Sequence, residues 1–430
     1  MNNKNDVVIT GLGVISPIGL NIAGLYDALV TGRSGIGLCS AEPLTKSFPA
    51  GVIRESFADQ FSKLELPYLD RCQQMAILAA RQAIDDAGLD TFAHHAQRAG
   101  LFYGSVKGGV ATEQAWYHQL LVEGKQAARP FTAMAIMQNA GASQISIRHQ
   151  ILGPVMTHGS ACSSSGAAIG EAFRAIRDGY LDVAVAGGAE APLTSSGFGA
   201  FDGIRAMAMA DASDVARSCK PFSSERTGLV MGEGAAFIIL ESAAHARKRG
   251  ATCLATLSGY GIASDGYHIG TPQAQGQVAA LHAALADAGL VAADIDYFNA
   301  HGTATRGGDE VEARAIRTVF GDGGVPVSST KSVHGHLLGA TSALELTIAI
   351  VAMTESFLPA TANLDAIDPK CALDHVANVP RFDCEIRHAM SFSCGFGGTN
   401  VALAISRHPD APVKRHSLAM KSANSQGDQT

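Results

Sequence analysis

A thiol, two histidines, a lysine and a glycine-rich loop are spread along this chain in a form suited to nucleophilic attack on a carbonyl. Cys162 sits in the small-residue run Gly159-Ser160-Ala161-Cys162-Ser163-Ser164-Ser165-Gly166, which leads into an Ala-rich amphipathic stretch ending near Asp178. That pattern reads as strand, tight turn and helix. It places the thiol at a helix N-terminus, where unpaired N–H groups and the helix dipole favour the thiolate. A cysteine so placed reads as a nucleophile, provided that a base stands elsewhere in the chain. Asn299-Ala300-His301-Gly302-Thr303-Ala304-Thr305 follows a strand directly, with Asp309 and Glu312 opening the next helix. A histidine there faces the crevice where α/β folds bind ligands; the alternative is a capping or core histidine. Further on, a strand from Val325 ends at Ser329, then comes Thr330-Lys331-Ser332-Val333-His334-Gly335-His336, and a helix is expected after Gly335. This sets His336 near a helix start, close to Lys331, and leaves His334 as a loop histidine. No carboxylate or cysteine stands at metal-ligand spacing with these two histidines, so no metal is expected. Ser393-Cys394-Gly395-Phe396-Gly397-Gly398-Thr399-Asn400 precedes a strand from Val401 to Ile405. Its glycines allow close backbone approach and can aim N–H groups at an oxyanion. Neither this loop nor Gly11-Leu12-Gly13-Val14 forms a dinucleotide-binding fingerprint.

The elements that must carry these residues read as an internal duplication. Ala83 to Leu89 and Ala284 to Leu290 close two amphipathic helices with the same Asp-Ala-Gly-Leu ending, each stopped by a glycine at the helix C-terminus. Each helix is preceded by a glycine-bearing strand (Val7 to Gly13, Leu254 to Gly261) and followed by a linker and an apolar strand. The alternative is that the shared ending is only a good helix stop. Short apolar strands such as Val183 to Gly188 and Ala235 to Leu240 alternate with helices, which implies α/β layers around buried sheets. The halves meet near residue 250, giving expected units of 1–250 and 251–409. Residues 410–430 are polar and aperiodic and are expected to be a disordered tail.

Composition narrows the function classes. The 430 residues are 47% hydrophobic, 17% charged and only 6% aromatic, with 47 glycines and a formal charge of −7. There is no basic footprint for nucleic acid or anionic membrane. Eight cysteines without a C-x-x-C pair read as reduced thiols. No apolar run is expected to reach the ~18 residues of a membrane span, and Val7 to Gly13 is too short and glycine-punctuated for a signal h-region. A soluble, cytoplasmic protein is expected.

Taken in order from about Val7 to Arg407, the nucleophile turn, the first histidine loop, the lysine–histidine segment and the GFGGTN loop resemble the β-ketoacyl-acyl carrier protein synthases, condensing enzymes of the thiolase superfamily. Lys220-Pro221-Phe222, Gly228 to Gly234 and Ser264 to His268 add to the resemblance. It implies a thiolase fold with duplicated βαβαβαββ halves in a five-layered αβαβα sandwich. It implies that Cys162 takes an acyl group as a thioester, and that a malonyl thioester loses carbon dioxide and attacks it. His301 and His336 would donate to the developing enolate, and the N–H groups of Cys162 and Phe396 would form the oxyanion hole. Lys331, paired with Glu345, would organise the charge. Thr303 and Thr305 match threonines that contact a phosphopantetheine arm, Phe396 a gating phenylalanine, and Asp265 and His268, with Gly397, the loops that move with it. Asp309 and Glu312 would support the histidine loop. No cofactor is implied beyond the phosphopantetheine of an acyl carrier protein. The expected partners are that carrier and a second subunit, either a copy of this chain or a cysteine-lacking chain-length-factor-like homologue.

The chain departs from the family pattern at four places. Pro67-Tyr68, Gln126-Ala127 and Ala210 stand where carrier-docking basic residues are usual. Lys107 replaces an apolar lining residue of the acyl pocket. His158 replaces a small or apolar residue, and Cys394 a phenylalanine. These departures point to a specialised condensing enzyme of polyketide or polyene type. A housekeeping fatty-acid synthase, a silent partner subunit and a degradative thiolase, which would use a second cysteine such as Cys394, are the alternatives.

Overall fold

Strands buried on both faces set the frame. The computed structural model describes residues 5–412, so the expected tail lies, from residue 413 onward, outside the described residues. The first half runs β1 (Val7–Ile15), α1 (Arg71–Asp86), β2 (Ala99–Gly104), α2 (Ala140–His149), β3 (Val155–His158), α3 (Ser164–Arg177), β4 (Val183–Glu190) and β5 (Gly234–Ser242). The second repeats the series as β6 (Ala255–Ser264), α4 (Ala274–Ala288), β7 (Tyr297–Asn299), α5 (Arg306–Phe320), β8 (Pro326–Ser328), α6 (Thr341–Glu355), β9 (His388–Cys394) and β10 (Thr399–Ser406). Every residue of β1, β4 and β5 is buried, as parallel and mixed sheets covered on both faces require.

The two halves share one topology. Strand order is β3-β2-β4-β5-β1 in the first and β8-β7-β9-β10-β6 in the second. In each half the first three strands pair in parallel and the last two join antiparallel. The half-sheets touch where Val8 and Ile9 pair with Thr256 and Ala255, which makes one continuous eleven-stranded arrangement with Asp374–His375 at its outer edge. Helices α3 and α6 lie between the half-sheets and pack on strands of both, α1 covers the outer face of the first, and α4 with α5 covers the second. These are the five layers αβαβα.

The repeat extends to single contacts. A Cβ added to Gly13 would lie 2.0 Å from the carbonyl of Ala79 in α1, and one on Gly261 would lie 2.0 Å from Ala280 in α4. Asp86 accepts from Leu12 N at 2.9 Å, and Asp287 accepts from Tyr260 N at 3.1 Å. The glycine strands and the Asp-Ala-Gly-Leu endings thus meet each other, because only glycine lets strand and helix approach so closely. Gly13→Ala and Gly261→Ala are each expected to lower stability by about 1–3 kcal/mol through overpacking. Gly307→Ala, where an added Cβ meets nothing within 4 Å, should instead gain up to about 1 kcal/mol. Urea midpoints of the three variants check this.

One finding departs from the sequence reading. Leu338–Glu355 is 18 residues long and apolar enough to cross a membrane, and 94% of it is buried inside the protein. It contains α6, and its place between two half-sheets accounts for its composition.

Candidate active site

The nucleophile turn is built by serines and strain. After β3, Ala161 adopts φ +52°, a left-handed conformation that costs a β-carbon residue on the order of 1 kcal/mol. Ser164 Oγ accepts from Ser160 N at 3.0 Å and donates to Ala161 O at 2.6 Å. Ser163 Oγ lies 2.8 Å from Ser160 O and 3.2 Å from Thr399 O, tying the turn to the GFGGTN loop. A Cβ on Gly395 would lie 2.4 Å from Ser160 O, so glycine is needed for that approach. Across the central layer, Ser342 Oγ donates to Cys162 O at 3.2 Å, and Ser165 Oγ accepts from Ala343 N at 3.0 Å.

The thiol is 6% exposed, and here the expected thiolate is corrected. Burial pushes the Cys162 thiol up to about 11, while the Lys331 ammonium and the N–H groups of Phe396 and Cys162 pull it down. Desolvation outweighs the helix end, so the resting group is a thiol and must hand its proton to a base. Iodoacetamide alkylation of Cys162 should therefore keep accelerating above about pH 9, where an ordinary thiolate population levels off. A plateau near about pH 8 would show that the helix end wins.

Two acids shape the first histidine loop. Glu312 accepts from His301 N at 2.6 Å and Gly302 N at 2.7 Å, and Asp309 accepts from Phe222 N at 2.7 Å. Burial lifts Asp309 to about 6, against the Phe222 N–H, the Arg226 charge and the nearby N–H groups of Thr303 and Ala304. His336 is set by its N–H to Val230 O at 2.6 Å and by Nδ1 against Thr341 Oγ1 at 2.9 Å, which leaves Nε2 buried and unpartnered. The two imidazoles meet edge to face with centroids 5.3 Å apart. Burial first, then the Lys331 charge, holds both well below the usual imidazole range. Both rings are neutral near pH 7 and can accept or donate a proton. One nitrogen of each ring and the Cys162 sulfur all lie within 4.8 Å of one another.

Lys331 is fully buried, with Nζ 2.5 Å from Glu345 Oε1. Burial lifts Glu345 to about 7 against the pull of the lysine. The sequence placed a helix start beside His336. The structure instead makes Lys331–His334 a short helical turn, and His336 precedes the turn Leu338–Ala340 and α6. Gly335, at φ +73°, breaks the first turn. His334 is spent within its own loop, on Thr330 Oγ1 at 3.0 Å and Gly335 O at 2.7 Å. Leu338, at φ +46°, repeats the strain of Ala161 one residue before Gly339.

The remaining predicted residues surround this centre. Phe396 is 44% exposed, its ring 6.2 Å from that of Phe201. Gly397, at φ +88°, donates to Ile269 O at 2.8 Å. Asp265 accepts from Asn400 Nδ2 at 2.7 Å and Gln273 N at 2.9 Å, and His268 Nδ1 accepts from Gly270 N at 3.1 Å. Thr303 and Thr305 join hydroxyls at 3.0 Å. Lys107 is half-buried and forms no ion pair among the described residues. The His158 ring stacks on Phe102, with Nε2 buried and unpartnered. Burial pushes the Cys394 thiol well above its ordinary value. Thr341, Ser163 and Glu190 escaped sequence reasoning; a glutamate ending a wholly apolar strand was the available signal for the last.

Among the described residues, the one cluster able to hold a metal ion is Cys162, His301 and His336. Its sulfur and imidazole donors suit a soft ion. The buried Lys331 charge that depresses both histidines opposes a dication there.

Comparison with known proteins agrees with this geometry. The β-ketoacyl synthase N-terminal domain family matches residues 4–246 and the C-terminal domain family matches residues 254–365. The chain is 41% identical over 406 residues to nodulation protein E of Rhizobium meliloti (strain 1021), covering 93% of this chain and 99% of that protein. It is 37% identical over 414 residues to 3-oxoacyl-[acyl-carrier-protein] synthase 2 of Staphylococcus aureus (strain COL), covering 95% and 99%. The ishigamide ketosynthase/chain length factor superposes with a TM-score of 0.87 at 32% identity, over 94% of this chain and all of that one. A buried thiol between two neutral histidines, set in a duplicated α/β frame that both domain families match, makes this chain a member of the β-ketoacyl synthases, the acyl-transferring condensing enzymes.

Proposed function

We propose that Cys162, His301, His336 and Lys331 carry out a decarboxylative condensation in which Cys162 is acylated from a carrier thioester and a malonyl thioester extends that group by two carbons. The observation that carries this reading is the placement of two neutral, buried imidazoles within 4.8 Å of a protonated thiol. In acylation, the thiol proton passes to a neighbouring imidazole as sulfur attacks the acyl carbonyl. The N–H groups of Cys162 and Phe396, which favour the thiolate, would receive the oxyanion. The carrier thiolate leaves and takes up the proton. In condensation, loss of carbon dioxide from the malonyl group leaves an enolate whose oxygen accepts from the ring N–H groups of His301 and His336. Its carbon attacks the acyl–sulfur carbonyl, and Cys162 departs as thiolate and regains a proton. The buried Lys331 charge favours the anions formed on the way. Thr303 and Thr305 would contact the pantetheine arm. Phe396, Asp265, His268 and Gly397 would form the mobile mouth.

The proposed donor is an acyl carrier protein, as named for the Staphylococcus aureus relative, with no other cofactor. The proposed second subunit docks along β3, the open edge of the first half-sheet, where Val155 and Met156 are 38% and 49% exposed. It is either a copy of this chain or a chain-length-factor-like homologue such as the one named with the ishigamide ketosynthase. Half-buried Lys107 and the non-basic 67–68 and 126–127 segments favour a specialised polyketide or polyene pathway over housekeeping elongation. Intact-mass spectrometry after exposure to a panel of acyl and malonyl carriers tests the proposal. Loading of Cys162 supports it. Efficient extension of long saturated chains on a housekeeping carrier would remove the specialised reading.

A further inference from the structure

Glu190 is a buried carboxylate that takes no part in the scheme above. It ends β4 and is 0% exposed. Its Oε1 accepts from Lys107 N at 2.9 Å and Ser105 Oγ at 3.2 Å; its Oε2 accepts from Val106 N at 2.7 Å and Gly339 N at 3.2 Å. All four donors are neutral. Burial holds the carboxyl up at about 7 in spite of them, and its charge is among the influences that raise the Cys162 thiol. A carboxylate is a poor choice beside a nucleophile that must become anionic, so its presence calls for a reason in geometry.

The donors come from two places, and the one carboxylate joins them. Three belong to loop 105–107, which leaves β2. A Cβ on Gly104, the last residue of β2, would lie 2.3 Å from Ser165 N, and Ser105 N donates to His158 O at 3.2 Å, so this loop borders the segment that leads into the nucleophile turn. The fourth belongs to the turn Leu338–Ala340, which joins His336 to Thr341, the residue that holds His336 Nδ1. The fit is tight: a Cβ on Gly339 would lie 2.7 Å from Glu190 Oε2 and 3.0 Å from Val106 N.

We infer that Glu190 is a positioning residue for the condensation, a clamp that holds the Ser105–Lys107 wall and the turn behind His336 in one register. The inference rests on the reading of Cys162 as the acylated group. With the clamp intact, the wall that Lys107 would contribute to the acyl pocket shifts only together with the turn behind the histidine proposed to receive the enolate.

Glu190→Gln keeps the shape but turns one acceptor oxygen into an NH2 group facing N–H donors. Ser105→Ala removes a single donor and serves as the milder variant. Both are to be compared with the wild type in thermal midpoint, Cys162 loading by intact mass, kcat and KM for the malonyl carrier, and relative rates across a series of acyl chain lengths. The expected result for Glu190→Gln is a kcat about 10- to 100-fold lower, as small misplacement of reacting groups produces. KM should be little changed, loading of Cys162 retained, and the preference among chain lengths flattened. Ser105→Ala should move the same readouts less. Folded variants with wild-type kcat and wild-type chain-length preference would overturn the inference, as would a loss of activity that only tracks loss of folded protein. Absence of acyl loading on wild-type Cys162 would overturn the reading of the site and the inference with it.

Discussion

Cys162→Ala should abolish acyl loading and lower condensation by about 10³-fold or more, because the side chain proposed to carry the acyl intermediate is removed. The fold should survive. The side chain is small, and the turn is held by Ser163, Ser164 and Ser342 rather than by sulfur. The informative readout is malonyl decarboxylation. If His301 and His336 serve the enolate, carbon dioxide release should persist in Cys162→Ala. It should then fall by about 10²–10³-fold when His336→Ala is added, the usual cost of losing an oxyanion donor. Carbon dioxide release from a labelled malonyl carrier gives both numbers. A Cys162→Ala protein that still condenses would remove the covalent scheme. One that neither condenses nor decarboxylates would place the cysteine, not the histidines, at the centre of decarboxylation.

Lys331→Met should be the most damaging substitution for the fold itself. Lys331 and Glu345 are both fully buried and paired at 2.5 Å. Removing one partner of such a pair leaves an uncompensated charge and typically costs about 3–5 kcal/mol. Glu345, already lifted to about 7 by burial, will rise further and take up a proton, which limits the loss at neutral pH. The double variant Lys331→Met/Glu345→Gln should recover most of the stability, since a buried pair replaced whole is often neutral. Activity should not return. The charge that draws the Cys162 thiol downward, and that adds to the burial holding both histidines low, would be gone, and condensation should stay about 10²-fold or more below the wild type. Urea midpoints and condensation rates across the three proteins separate the structural from the chemical share. Equal activity in the double variant and the wild type would show that the lysine is structural alone.

Much of this site was legible because it is local. A run of small residues before a helix, a histidine after a strand and a glycine loop each follow from spacing and turn chemistry. The structure brings Cys162, His301 and His336 together in one cluster. The repeat was legible for the same reason: Gly11, Gly13, Gly259 and Gly261 all face helix backbone, and a glycine requirement shows in sequence. What distance in the chain decides was not legible. The acidity of Cys162 depends on burial among segments far along the chain, α6 from Ser342, 180 residues away, and the 395–398 loop farther still, and so a helix-end argument alone gave the wrong sign. Lys331–His334 became a helical turn because Gly335 interrupts what reads as a single helix start. Glu190 stayed hidden because its partners are mostly backbone N–H groups, which carry no residue-type signature.

The paired strain at Ala161 and Leu338 has a consequence for how such a site can change. The two turns are the same joint in the two copies of the repeat, each opening one of the central helices. In one copy the next residue is Cys162; in the other it is Gly339. The molecule thus carries the same joint twice, with a reactive side chain at one and no side chain at the other. The space beside Gly339 is where Glu190 enters. The division of labour is therefore guarded by packing: a side chain installed at 339 would press on the Glu190 carboxylate at 2.7 Å and on Val106 N at 3.0 Å, so it would have to displace the clamp before it could act as a second nucleophile.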